Sequence, residues 1–263
     1  MTISASLVKE LRDLTGAGMM DCKRALEEAS GDVEAAQRLL REKGIAAAGK
    51  RAGRETTEGV VLARVTGNAG TMVAVGCETE PVSKNREFRE FAQHVLDAVD
   101  AEGASAVDDM DEERVALVAR LGENVAVQGA SKLDAADGEV IAAYVHPPAQ
   151  KIGVLVRAKA SEELARLLAM HIAFANPSYR SRDDVPKDAI ASEREIFEKL
   201  PEVQSKPDEI REKIVDGMLV KRFFSQSVLA DQTWIHDDSL TVGRALDERD
   251  AEVVEFVRYT LSE

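Results

Sequence analysis

One order of signals occurs twice in this chain, and it limits the folds available. Residues 58–78, EGVVLARVTGNAGTMVAVGCE, hold two β-rich runs around GNAG, a hairpin signal. A helix-period stripe follows, with Phe88, Phe91, Ala92, Val95 and Val99 on one face. Residues 139–159, EVIAAYVHPPAQKIGVLVRAK, again hold two β-rich runs around a turn. The next stripe is Leu164, Leu167, Leu168, His171, Ile172 and Ala175, with Ser161 able to cap the helix and Asn176–Pro177 to end it. Hairpin then helix, twice, predicts an α+β fold class: two related subdomains of small antiparallel sheets packed with helices. The copies share little sequence, so the prediction rests on the order of elements.

Residues 6–44 read as three short helices. Leu7, Leu11 and Leu14 recur at helical spacing, and the glycines of TGAG (15–18) end that stretch. The second helix, from about Met19 to Ala29, turns Met19, Cys22 and Leu26 inward. The third is capped by Asp32, uses Val33, Ala36 and Leu40, and is expected to stop at Gly44. So small a core suits a docking head. Residues 45–58, IAAAGKRAGRETTE, read as a linker, partly helical through its alanines. Further on, 111–125 is a helix ending at Gly122. Residues 189–200 and 208–229 read as two helices turned by the prolines of PEVQSKP, a projecting hairpin at about 189–229. TVGRAL and AEVVEFVRYTL read as a short helix and a last strand. The expected domains are 1–44, a three-helix module; 45–58, a linker; 59–138, the N-subdomain of the core; and 139–263, its C-subdomain.

The chemistry-bearing residues are sparse. Cys22 and Cys77 form no CxxC, and the four histidines lack a metal-ligand spacing. No phosphate-cradling glycine loop and no nucleophile elbow is present. The acid pairs Glu78/Glu80 and Asp108/Asp109 lack a nucleophile, metal set or cofactor loop, so an enzyme ranks last. No metal, cofactor or nucleotide site of its own is expected. With 34 basic and 48 acidic residues, the net charge of −14 disfavours direct nucleic-acid contact. No run of eighteen apolar residues suggests a membrane span. MTISASLVKELRDL lacks a signal-peptide layout, and a cytoplasmic location is expected. Nothing here fixes an oligomeric state.

LRDLTGAGMMDCKRAL (11–26) resembles the first signature of the bacterial elongation factor Ts family. CETEPVSKN (77–85) falls at its second, usually a Thr-Asp-Phe-Val core before a basic residue. YVH with KIGVLV (144–146, 151–156), HIA…P.Y (171–179), SRDDVP (181–186) and TVGRAL (241–246) continue the resemblance in order. It implies a ubiquitin-associated-like N-terminal module and a guanine-nucleotide exchange factor for elongation factor Tu, GDP-bound or nucleotide-free. An elbow at Thr79, Glu80, Pro81 and Val82 would enter beside the nucleotide's magnesium and loosen it.

Each candidate has a plainer reading. Glu80, one methylene longer than the family's aspartate, is otherwise a solvated loop acid. Pro81, where the family usually has phenylalanine, is otherwise a rigid turn residue that keeps the elbow out of helix. Met19 and Met20 either fill the small core or offer a soft apolar docking point. Leu121 and Gly122 are an ordinary helix end, or a corner that the resemblance places near the partner's phosphate loop. His146 is a strand-end histidine, or a contact to a distal partner domain. Arg12, in the first signature, joins the implied contacts. His171, on an apolar stripe, is expected to be a satisfied core histidine. An adaptor or chaperone-like protein that kept the fold and lost exchange is the rival reading.

Overall fold

The computed structural model describes residues 3–261. Helix α1 (Ala5–Thr15) starts where Ser4 Oγ accepts from the Leu7 N–H, at 3.2 Å, and ends at Gly16, φ +67°. Helices α2 (Met19–Glu28) and α3 (Val33–Arg51) follow, and Asp32 caps α3. Val8, Leu11, Cys22, Ala25, Leu26 and Ala36 form the core they share. Leu14 and Met19, expected inward, lie outside it, at 60% and 46% exposure. Both sit at the ends of their helices, beyond the stripe of Cys22, Ala25 and Leu26 that fills the small core.

Helix α3 does not stop at Gly44. A Cβ on Gly44 would lie 3.3 Å from Ala119 Cβ, so this glycine is small for close packing and not a helix end. The helix runs on to Arg51, and Ala48 joins the core beneath the first sheet. Half of the expected linker is therefore helix.

Strands β1 (Glu58–Thr66) and β2 (Ala69–Cys77) form the first hairpin. The one-turn helix α4 (Glu80–Ser83) and the long α5 (Arg86–Glu102) come next. After a 3-10 turn at Ala104–Met110 and helix α6 (Asp111–Leu121), strand β3 (Val125–Asp134) returns to pair antiparallel with β2. Strands β4 (Val140–Val145) and β5 (Ile152–Lys159), then α7 (Glu162–Ala175), repeat the scheme. Ser161 caps α7, and Asn176 ends it in the left-handed region.

Next come a 3-10 turn at Arg182–Asp184, then α8 (Lys187–Glu198), α9 (Pro201–Gln204) and α10 (Asp208–Met218). A π-helical turn at Leu219–Phe224 leads from α10 into α11 (Ser225–Ser227). These helices have a cluster of their own around Phe197, Val203, Val215, Leu219 and Phe224. Pro201 opens α9 at its first position, where a missing N–H is harmless. A 3-10 turn at Leu229–Asp231 and α12 (Val242–Asp247) lead to β6 (Glu252–Thr260), which pairs with β5.

The sheets are thus β1-β2-β3 and β4-β5-β6, each with a third strand arriving after its helices. In both, one residue of that third strand bulges: Gln128 opposite β2 and Val254 opposite β5 are left without a register partner. The sheets pack face to face through Val61, Met72, Ala74, Leu133, Leu155 and Leu261. A Cβ on Gly153 would stand 2.4 Å from Val61 Cγ1, so this approach requires glycine.

Candidate functional site

Strand β2 ends in an elbow before α5. Its first residues are stitched to the corner after α6. The Glu78 carboxylate accepts from the Asn124 backbone N–H at 2.6 Å, and Arg54 Nη1 reaches it at 3.2 Å. These two contacts, the backbone bond first, hold Glu78 below the usual carboxylate range. In return the Glu123 carboxylate accepts from the Thr79 N–H at 3.0 Å and its hydroxyl at 2.6 Å. Each segment's acid takes the other's backbone amide. Leu121 and Gly122 lie directly before Glu123, and Gly122 ends α6 at φ +76°. Elbow and corner are therefore one unit.

The elbow is helical rather than an open turn. Pro81 fits the first turn of α4, where proline's fixed φ is tolerated and its missing N–H bonds nothing. Thr79, Glu80 and Pro81 are exposed, and Val82 is half-buried against the first sheet's core. Glu80 pairs with Lys84 at 2.7 Å, which lowers its pKa, and both side chains are largely exposed. Behind the elbow, Cys77 is buried and its Sγ–H donates to the Thr79 carbonyl at 3.3 Å. Burial pushes this thiol up to about 12, which leaves it inert.

The far side of the elbow is tied as well. Arg89 Nε donates to the Ser83 carbonyl at 2.7 Å, and its Nη1 donates to Gln150 Oε1 at 2.9 Å. Gln150 closes the β4–β5 loop that carries His146: its N–H donates to the His146 carbonyl, and its own carbonyl accepts from Val61. His146 is exposed, with Nδ1 2.9 Å from the Tyr144 hydroxyl.

Arg12, Met19 and Met20 are exposed on the N-terminal module. That module packs on α6 where Gly44 approaches Ala119, and it meets the same helix at two polar points. Arg41 pairs with Glu112 at 2.9 Å, and the Gly16 turn leaves room for the Arg120 stem, which a Cβ would meet at 2.8 Å. Arg120 Nε donates to Glu87 of α5 at 2.6 Å. His171 is buried, as its stripe predicts, with Nε2 3.0 Å from Gln232 Oε1 and Nδ1 accepting from the Ile235 N–H. Glu123, Arg89 and Gln150 were not foreseen as part of the site. Their partners lie far away in sequence, and no local spacing points to them.

Among the described residues, no cluster of His, Cys, Asp and Glu is placed to hold a metal, and no helix is long and apolar enough to cross a membrane. The family described as Elongation factor TS matches residues 78–263, from the elbow onward. The chain belongs to the elongation factor Ts family. It is similar to the Elongation factor Ts of Erwinia tasmaniensis, 42% identical over 99% of this chain and 92% of that protein. The Elongation factor Ts of Shewanella amazonensis is 43% identical over 100% of this chain and 92% of its own length. That of Escherichia coli O139:H28 is 41% identical over 99% and 92%. This family membership supports a role in translation elongation.

Proposed function

We propose that this chain is a guanine-nucleotide exchange factor that binds elongation factor Tu in the cytoplasm and promotes GDP release. It performs no covalent chemistry of its own. The observation that carries the reading is the elbow: an exposed helical turn bearing Glu80 and Pro81, held at Thr79 by Glu123 and at Ser83 by Arg89. A rigid, exposed, acidic projection suits the disturbance of a magnesium and phosphate site, because Mg²⁺ offsets phosphate charge there. Glu80, Pro81, Val82 and Thr79 are the insertion element. Leu121 and Gly122, rigidly joined to it, are assigned to the phosphate loop's side. Met19, Met20 and Arg12 dock the 1–44 module, which 45–58 joins to core subdomains at 59–138 and 139–263. His146 grips a more distant part of the partner.

Exchange needs only coupling. The factor binds the nucleotide-free partner better than the loaded one, and nucleotide weakens the factor to the same degree. A thousandfold loss of GDP affinity requires about 4 kcal/mol. Release of a fluorescent GDP from elongation factor Tu, with and without the chain, tests the reading. Acceleration, reversed by excess GDP, is the expected result. An unchanged release rate with intact binding would instead support an adaptor, a reading favoured by the missing aromatic at Pro81.

A further inference from the structure

Arg89 is unusually placed for an arginine. It lies near the start of α5, half-buried, and among the described residues no carboxylate stands within ion-pair distance of it. Its charge is spent on two neutral acceptors instead: the Ser83 carbonyl and Gln150 Oε1. The Ser83 carbonyl belongs to the one-turn helix α4, whose last carbonyls have no helical partner. Gln150 belongs to the other subdomain, in a left-handed conformation at φ +56°. Its backbone closes the loop on His146 and fastens it to Val61 of β1. One guanidinium therefore spans from the elbow's exit to the His146 loop. Its planar fork fixes both directions at once, which a lysine ammonium would not.

A charge-assisted tie of this kind adds to stability wherever it sits. Here it also joins the elbow's exit to a loop residue 61 positions further along the chain. We propose that Arg89 is a positioning residue for nucleotide exchange, holding the elbow in register with the His146 loop so that a partner gripped at the loop receives Glu80 and Pro81 at a fixed angle. This deepens the exchange reading and rests on it. Precise placement acts on the release step more than on the encounter, because misorientation is felt when the nucleotide site opens.

Stopped-flow GDP release from elongation factor Tu, measured over a range of concentrations of the full chain, separates the maximal rate from the half-saturating concentration. Arg89→Leu and Gln150→Leu are each expected to lower the maximal rate about tenfold, equivalent to about 1.4 kcal/mol. The half-saturating concentration should stay within about twofold. The double variant should be no slower than the slower single, because both remove one link. Gln150→Glu, which keeps an acceptor for Arg89, should restore the rate. Thermal midpoints report folding, and if Arg89→Leu fails to fold, the Gln150→Leu and Gln150→Glu pair decides alone. Wild-type maximal rates in the leucine variants, losses that multiply in the double, or a change confined to half-saturation would overturn the proposal. If the wild-type chain itself fails to accelerate release, the exchange reading falls and takes this proposal with it.

Discussion

Thr79 and Glu123 meet twice: the threonine's backbone N–H and its hydroxyl both donate to the one carboxylate, at 3.0 and 2.6 Å. The contact is exposed, so its removal costs the fold little. Its value lies in fixing where the elbow starts. Glu123→Ala leaves Thr79 free to bond water, and the thermal midpoint should move by no more than a few degrees, in line with a loss of about 1 kcal/mol. The GDP release rate should fall several-fold, since Thr79 itself is then unheld and only the Glu78–Asn124 and Arg89–Ser83 ties remain. Glu123→Gln, which keeps an acceptor, should lie between. Melting curves beside release rates check this, and equal rates in all three proteins would rule out the clasp as a lever.

Glu80 and Pro81 form the exposed face of that turn. A buried aromatic covers about 150–250 Å², much more than proline, and at about 25 cal/mol per Å² the missing contact is of order 1–3 kcal/mol. Proline returns some of this by pre-ordering the turn, and its place in the first turn of α4 shows how. We expect the lost contact to dominate. Pro81→Phe should speed release from elongation factor Tu roughly tenfold if about 1.4 kcal/mol is recovered in the transition state. Glu80→Ala should slow it, with the fold intact because the Glu80–Lys84 pair is exposed.

Met19 and Met20 both face outward, at 46% and 62% exposure. Substituting both by serine should therefore leave the melting temperature unchanged within error. If they dock the N-terminal module, affinity for elongation factor Tu should drop, because apolar anchors release roughly 1–2 kcal/mol each when truncated. Titration calorimetry reads this directly, and an unchanged dissociation constant would remove the docking role.

What the sequence shows clearly is whatever depends on near neighbours. The hairpins at 58–78 and 139–159, the buried stripes of α5 and α7, and the caps Asp32 and Ser161 all follow local patterns. Strand β3 does not. Gln128, Gly129, Ser131 and Lys132 interrupt any alternation, and the bulge at Gln128 breaks the period of two. That bulge has a purpose visible only in three dimensions: it aims the Gln128 amide at the Thr56 carbonyl, 2.6 Å away. Gly44 illustrates the same limit, since a packing glycine and a helix-ending glycine look alike in sequence. The site divides along this line too. Thr79 to Val82 stand out as candidates from a motif, whereas Glu123 and Arg89 enter only through contacts with residues distant in the chain or outside that motif.

Gly153 tests the packing of the two sheets. A methyl group there would stand 2.4 Å from Val61 Cγ1 and 2.9 Å from Met72 Sδ, both fully buried. The sheets must separate or these side chains must leave their rotamers, and such overpacking costs about 1–3 kcal/mol. Gly153→Ala should lower the urea midpoint accordingly. Gly138→Ala has nothing within 4 Å of its Cβ, but its φ of +81° adds strain of another origin, so Gly217→Ala, in open space on a helix, is the better control. It should be neutral or slightly stabilising.

His171 predicts how stability depends on pH. The ring is buried beside Trp234, with ring centroids 5.1 Å apart, and burial lowers its pKa from the ordinary 6.5, more than the Gln232 bond raises it. Gln232 donates its amide N–H to the carbonyls of Ala175 and Gln226, so its oxygen accepts from His171 Nε2–H. Nδ1 in turn accepts from Ile235, which leaves no room for a second ring proton. The nearby His236, whose charge would lower His171 further, touches the Leu167 carbonyl. In the unfolded chain His171 takes up a proton near pH 6.5, while the folded chain resists. The stabilising contribution is therefore fully present above that pH and is lost as pH falls toward the folded value. Over that window the unfolding free energy should drop with a slope of at most about 1.4 kcal/mol per pH unit from this one group. His171→Gln should be less stable at neutral pH and should lose that part of the slope. Urea titrations of both proteins between pH 7.5 and 5.5 measure it, and identical slopes would mean that His171 protonates in the folded chain as readily as in the unfolded one.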